Sequence, residues 1–318
     1  MCTVVVSLAP EDQVPLLLLG VRDEFTGRRW QPPARHWPGS PLIGGRDEQA
    51  GGTWLAVHPD LPRVSCVLNG RGQFAPPSHR RSRGELPLRA AEEGQPALRK
   101  LHDDPEILAR YDPFYLVCAD PAAVLLLSWD GQRVGLRELK PATHVLTNAG
   151  PMYPPDSAAA DAKAPADPKA VRFGPKFAAR RPPGDPGATL TDAWGDWLTL
   201  AAADDLASTE PGAIIVRRDL PDGRVWGSTS VSLIALAQGG GLRYDFQPVP
   251  ADPATWYPVQ TALTAGAAQA RAPGRSARYP GRTSSGRPAR RTTRAPAGPR
   301  VCNRPPGPAC TARRPAPR

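Results

Sequence analysis

Short apolar runs, each closed by a breaker, are the feature that most restricts the folds open to this chain. CTVVVSL is followed by APED and then by VPLLLLGV, and GGTWLAVHP by a short turn and RVSCVLNG. The runs are rich in β-branched and aliphatic residues and too short for helices of ordinary length, so each reads as a strand. Their close spacing requires neighbours that turn back on one another, as in an antiparallel sheet. The first two, joined by a four-residue breaker, read as a β-hairpin.

The pattern then changes. RSRGELPLRAAEEGQPALRKLHDDPEILARY mixes charged and apolar residues with few β-branched ones, which predicts one or two helices interrupted near Pro96 and Pro105. YLVCADPAAVLLLSWDGQRVGLREL returns to strands, with WDG as a turn, and HVLTNAG is a further short strand. From MYPPD to about Pro186 the composition predicts an irregular excursion. DAWGDWLTLAAADDL reads as an amphipathic helix opened by Asp192. Two or three strands in AIIVRRDLPDGRVWGSTSVSLIALAQGGGLRYDFQP complete the folded part. Strands, helices, strands, helix, strands is the order of an α+β protein whose sheet layers are covered by helices.

The net charge of +10 points to a nucleic-acid binder until its distribution is read. Residues 271–318 hold thirteen Arg and no Lys, Asp or Glu, which leaves residues 1–270 at −3. We expect a folded domain over 1–250, a linker over 251–270 and an Arg/Pro/Gly-rich disordered tail over 271–318. Without interleaved aromatics the tail is expected to contact polyanions only weakly, with no specific nucleic-acid partner. Five cysteines, at 2, 66, 118, 302 and 310, are odd in number and widely spaced, which argues against a disulfide framework. No CxxC pair exists, the five histidines are scattered, and no metal site is expected. PLLLLG is too short to span a bilayer and no signal peptide opens the chain. The expected location is cytoplasmic.

Three features carry candidate chemistry. Cys2 stands directly behind Met1. It is either a small buried residue near a terminus or, after methionine removal, a nucleophile whose own α-amine, with a reference pKa near 7.7, takes up the thiol proton. GVRDEF ends the second strand, and a hairpin returns that end to the start of the first. Arg22 and Asp23 are then either a solvated charged turn or neighbours of Cys2, the guanidinium favouring a thiolate and the carboxylate orienting the ammonium. Asn69 and Asn148 end strands. Each is a turn cap or a neutral donor to an oxyanion. Gly51 and Gly52 allow close backbone approach to a ligand, and Trp54 either lines a pocket or fills core.

MCTVVV, VRDEF, GGTWLAV, the Asn of CVLNG, RSRGEL and HVLTNAG occur in an order that resembles the NRDE family, also called the Tango2-like or transport-and-Golgi-organisation-2 family. The likeness covers roughly residues 1–248 and is strongest in the first 90. Val21 replaces the usual Asn of the name-giving motif. The family is similar to N-terminal-nucleophile hydrolases, so the resemblance implies an αββα sandwich of two mainly antiparallel sheets between helix layers. It also implies Cys2 as nucleophile, with Arg22, Asp23, Asn69 and Asn148 as its active-site companions. Relatives carry an Arg in a Gly-Thr-Arg-Ser-like step where this chain has Thr229; Arg217 or Arg224 is the expected substitute for any anion contact made there. The implied activity is hydrolysis or acyl transfer at an amide or thioester of a small-molecule substrate, without a cofactor. The alternatives are a non-enzymatic carrier of haem or a lipid-like or acyl-coenzyme-A ligand, and a basic-tailed interaction protein.

Overall fold

The structure, a computed structural model, describes residues 3–154, 167–202, 206–249 and 255–261. Cys2, Cys302, Cys310 and the whole of 271–318 lie outside the described residues. The chain divides into residues 1–269 and 270–318, and every described residue belongs to the first unit.

Among the described residues fifteen strands run in chain order: β1 Thr3–Leu8, β2 Leu16–Phe25, β3 Trp30–Ala34, β4 Ile43–Asp47, β5 Leu55–His58, β6 Arg63–Asn69, β7 Phe114–Ala119, β8 Val124–Trp129, β9 Val134–Leu139, β10 Thr143–Thr147, β11 Gly150–Tyr153, β12 Arg217–Asp219, β13 Val225–Leu236, β14 Leu242–Pro248 and β15 Tyr257–Pro258. They form two wholly antiparallel sheets. One has the order β11-β10-β1-β2-β13-β14-β15 with β12 also on β13; the other runs β3 to β9 in sequence order. The β1–β2 hairpin closes through residues 9–15 rather than four. Pro10 and Pro15 flank that connection, and proline cannot donate to a ladder. Strand pairing reaches past residue 250, since β15 pairs with β14.

Alternation along the strands builds three apolar layers. Val4, Val6, Leu16 and Leu18 of the first sheet meet Leu55, Val57, Cys66 and Val117 of the second, and this is the interior between the sheets. The intervening residues Val5, Leu17, Leu19 and Val21 lie under helices α4 Pro168–Ala179, α5 Leu190–Trp194 and α6 Asp196–Ala202, through Phe173, Phe177, Trp194 and Trp197. The outer face of the second sheet is covered by α1 Leu86–Glu93, α2 Gln95–His102 and α3 Pro105–Leu108. The fold is therefore the αββα sandwich expected from the sequence. Pro96 and Pro105 sit in the first turns of α2 and α3, where the missing N–H costs nothing.

Four elements differ from the sequence reading. β3 and β4 occupy WQPPARHWPGSPLIGGRD, a stretch too proline-rich to read as strand. β3 is an edge strand with a register shift between Gln31 and Ala34, the one setting where Pro32 and Pro33 are tolerated. α4 lies inside the supposed irregular excursion, its Pro168, Gly174 and Pro175 disguising the helical spacing of Ala170, Phe173 and Phe177. α5 opens at Thr189, not Asp192: the Thr189 hydroxyl accepts from Asp192 N at 3.2 Å and donates to the Asp192 carboxylate at 2.6 Å.

The two glycines of GGTW serve different needs of the backbone, Gly51 a left-handed turn and Gly52 a close contact. Gly51 adopts φ +74°. Gly52 abuts the backbone of Gly84 from the RSRGEL stretch, so that a Cβ on Gly52 would lie 2.4 Å from the Gly84 carbonyl carbon, while Thr53 N donates to Gly84 O at 2.9 Å. The close approach is to the short turn that leads into α1, where the sequence suggested a ligand. Gly52→Ala has no flexible neighbour to displace and should destabilise by about 1–3 kcal/mol. Urea unfolding of the variant checks this, and an unchanged midpoint would contradict it.

Candidate active site

The strict alternation of β2 continues into its charged end. Leu16 and Leu18 face the inter-sheet interior and Leu17, Leu19 and Val21 the helices. Arg22 and Asp23 are consecutive strand residues, 3% and 5% exposed, and their partners lie on opposite faces. They are not a solvated turn.

Arg22 lies between the sheets. Its guanidinium carbon is 4.4 Å from the centroid of the Trp54 ring, a distance at which a cation is held by the ring face. Nη1 donates to Thr229 Oγ1 at 2.7 Å, and Nη2 is 4.0 Å from the Asp47 carboxylate, which also accepts from Arg28 Nε at 2.7 Å. Trp54, 5% exposed, thus fills core and floors a charged site at once. Asp23 lies under α4. It accepts from Ser228 Oγ at 2.6 Å and is 3.4 Å from Lys169 Nζ, while Ser228 Oγ accepts from Val216 N at 2.9 Å.

A bulge in β13 serves both faces. Ser228 pairs with Asp23 and Ser230 with Arg22, so Thr229 is the extra residue. Its hydroxyl reaches the Arg22 guanidinium and also donates to the Arg22 carbonyl at 3.1 Å. Ser230 is buried, and its hydroxyl has no hydrogen-bond partner among the described residues. Arg217 and Arg224, the expected substitutes for the missing arginine, are exposed and pair with Asp219 and Asp222 at 3.1 and 2.8 Å.

The start of β1 ties the pieces together. Thr3 pairs with Val21 on one side and Thr147 on the other, so its two partners immediately precede Arg22 and Asn148. Thr3 is 2% exposed, and its hydroxyl too lacks a partner among the described residues. Cys2 is the residue before Thr3 in the chain and falls outside the description. Asn148 is half-buried in the tight turn between β10 and β11, where the Thr147 hydroxyl accepts from Ala149 N at 3.2 Å. Asn69 is exposed at the end of β6, in register with Phe114.

Tyr115, which sequence reasoning missed, links these ends. It pairs with Leu68, the neighbour of Asn69, and its hydroxyl approaches the β10–β11 turn from the other sheet: a Cβ on Gly150 would lie 3.2 Å from it. Burial raises the pKa of its phenol, with Asp130 adding to this and Arg71 and Arg137 opposing it. FYLVCA reads as plain strand, and only the pairing of two distant segments singles the tyrosine out.

The profile of a family described as Transport and Golgi organisation 2 matches residues 1–164, just over half of the sequence. The chain belongs to that family. The matched residues of this Transport and Golgi organisation 2 member include β1, β2, the Gly52–Gly84 contact and the Asn148 turn. A search of the curated proteins returns no match. Among solved structures, the Caenorhabditis elegans N-acylethanolamine-hydrolyzing acid amidase ortholog is similar at a TM-score of 0.37 and 11% identity, over 76% of this chain and 95% of that one.

The two described cysteines of this family member lie in strand cores. Cys66 and Cys118 are fully buried strand residues, as their apolar runs suggested, and burial pushes each thiol up to about 12.

The Asp23–Lys169 pair yields a prediction. With the Asp23 side chain at 0% and that of Lys169 at 11% exposure, Asp23→Asn leaves a buried ammonium without its counter-charge and should cost about 3–5 kcal/mol. Adding Lys169→Met should recover a large part of the loss. Denaturant unfolding of both single variants and the double variant gives the coupling; simple additivity would show that the pair does not act as one unit.

Proposed function

We propose that this protein is an N-terminal-cysteine hydrolase or acyltransferase acting on an amide or thioester of a small molecule. The observation that carries the reading is the pairing of Thr3 with both Val21 and Thr147. The residue that follows Cys2 is flanked by the residues that precede Arg22 and Asn148. Three chemistry-bearing stretches, distant in sequence, therefore meet at one end of the first sheet. Family membership is consistent with this reading.

In the proposed reaction Met1 is removed first. The freed α-amine takes the thiol proton, and the thiolate Sγ adds to the substrate carbonyl carbon. Asn148, with Asn69 as a second candidate, donates to the resulting oxyanion. The intermediate collapses as the C–N or C–S bond breaks. The ammonium returns its proton to the leaving amine or thiol, and a thioester remains at Cys2. Water or another acceptor then attacks that thioester as the α-amine takes its proton; the C–S bond breaks, the acyl group leaves, and the ammonium returns the proton to the Cys2 sulfur. Arg22 supplies the positive charge that favours the thiolate. Asp23, fixed by Ser228 and Lys169, is assigned to orienting the ammonium.

Acyl-adduct trapping with a panel of amides and thioesters, read by mass at the N-terminal peptide, tests the reading. Cys2→Ser should abolish the adduct while leaving methionine removal possible. Asn148→Ala should lower turnover by about a hundredfold or more, corresponding to roughly 3 kcal/mol of lost oxyanion stabilisation, with the protein still folded. Arg22→Ala should move the rise of the Cys2 alkylation rate to higher pH, since the thiolate loses a stabilising charge. Retained Met1 in an active preparation would eliminate the mechanism. A processed but unreactive Cys2, with stoichiometric uptake of haem or an acyl lipid, would replace it with a carrier.

A further inference from the structure

His58, the last residue of β5, takes no part in the proposed reaction, yet it is 7% exposed and its ring closes the turn to β6. Nδ1 accepts from Asp60 N at 3.2 Å and from Leu61 N at 3.0 Å. An imidazole nitrogen accepts only while it carries no proton, so the neutral ring with its hydrogen on Nε2 is the form that fits. A proton on Nδ1 would turn the shared acceptor into a donor facing two donors. Both backbone N–H groups would then lose their partner.

The surroundings also oppose a charged ring. Leu55 and Val57 face the inter-sheet interior, so by alternation Ala56 and His58 face the helix-covered side. The charged groups around the ring are Asp60 from its own turn, Arg63 from β6 and Glu92 from α1. Arg63 is directly opposite His58 in the β5–β6 register and donates to Ala91 O and Glu92 O at 3.0 and 2.9 Å. A second cation beside it is unfavourable. Burial is the largest influence and lowers the His58 pKa from its ordinary 6.5; Glu92 and Asp60 pull it up, and Arg63 adds to the lowering. The unfolded chain therefore takes up this proton at higher pH than the folded one. The stability that neutral His58 contributes is complete above pH 6.5 and is lost as pH falls from there toward the folded-state value.

The turn held in this way forms part of a wall. Leu61, Pro62 and Arg63 border a cavity of about 590 Å³, together with Pro121 and Ala122 of the β7–β8 turn and Ala237 after β13. Leu61 is 43% exposed, and its backbone N–H is one of the two that His58 holds. We infer that His58 is a proton-operated latch: neutral, it pins the 59–62 turn through Nδ1; protonated, it releases that turn and reshapes the cavity wall. The latch does not depend on the proposed reaction.

Nitrogen-15 NMR of the His58 ring in the full chain, from pH 8 to pH 5, tests the latch together with hydrogen exchange at the Asp60 and Leu61 amides. The ring should be the Nε2–H tautomer at pH 8 and titrate with a midpoint below 6.5. Protection at both amides, corrected for the intrinsic pH dependence of exchange, should fall by about tenfold or more once the ring is protonated, while Leu126 in β8 keeps its protection. His58→Asn supplies a carbonyl oxygen that accepts from the backbone two residues on and does not titrate, so the fall with pH should disappear. A midpoint at or above 6.5, protection indifferent to the His58 proton, or the same fall in His58→Asn would overturn the latch.

Discussion

Two opposite charges at consecutive positions of a buried strand set the terms for everything around them. Arg22 and Asp23 cannot share a partner, because successive side chains leave a strand on opposite faces. They cannot neutralise each other through the sheet either. Each face must supply its own compensation, since an isolated buried charge costs several kcal/mol. Between the sheets this compensation is the Trp54 ring, Thr229 and Asp47; under α4 it is Lys169 and Ser228. Lysine in the first turn of a helix opposes the macrodipole. Its burial against Asp23 is what makes Lys169 tolerable there.

The β13 bulge follows from the same requirement. A regular β13 would offer one residue opposite each of Arg22 and Asp23. The extra residue lets Ser228 serve Asp23 while Thr229 and Ser230 both stand at Arg22. The GSTS step is therefore a device for hydrating two charges with hydroxyls where water is excluded. The Thr3 and Ser230 hydroxyls, which have no partner among the described residues, lie at the same end of the sheet. Buried polar atoms left unsatisfied concentrate where function rather than stability selects the residue. At the opposite end of β1 the buried Ser7 hydroxyl is satisfied, accepting from Thr143 Oγ1 at 2.9 Å and from Arg181 Nε at 3.2 Å.

What could be read from the sequence divides along a physical line. Strands β1, β2, β5 to β8, β10 and β13 were legible because their apolar runs are continuous and closed by breakers. β3 and α4 were not, because edge pairing and helix burial overrode proline and glycine that locally argue against both. The helix-opening Thr189 was hidden by the more conspicuous Asp192, whose carboxylate accepts the reciprocal bond. At the site, Arg22, Asp23 and Asn148 could be chosen because a hairpin and a strand end carry positional meaning. Lys169, Ser228 and Tyr115 could not, nor could the contact by which Thr229 holds Arg22. Their roles arise only from pairings across more than a hundred residues or, for Tyr115, from the meeting of two sheets.

The departures from the family pattern also become intelligible. Val21 stands where the name-giving motif has Asn. Its side chain belongs to the helix-covered cluster with Leu17, Leu19 and Phe173, and its exposure is 0%. An apolar residue suits that environment without a hydrogen-bond partner, and it does not face the interior that holds Arg22. The replacement therefore changes the support behind the strand and leaves the Arg22 face intact. Thr229 is different. An arginine at the bulge would bring a second cation toward Arg22; the threonine brings a hydroxyl that accepts from the guanidinium and donates back to the strand. Between the sheets, cationic character at this end then rests on Arg22 and, through Asp47, on Arg28.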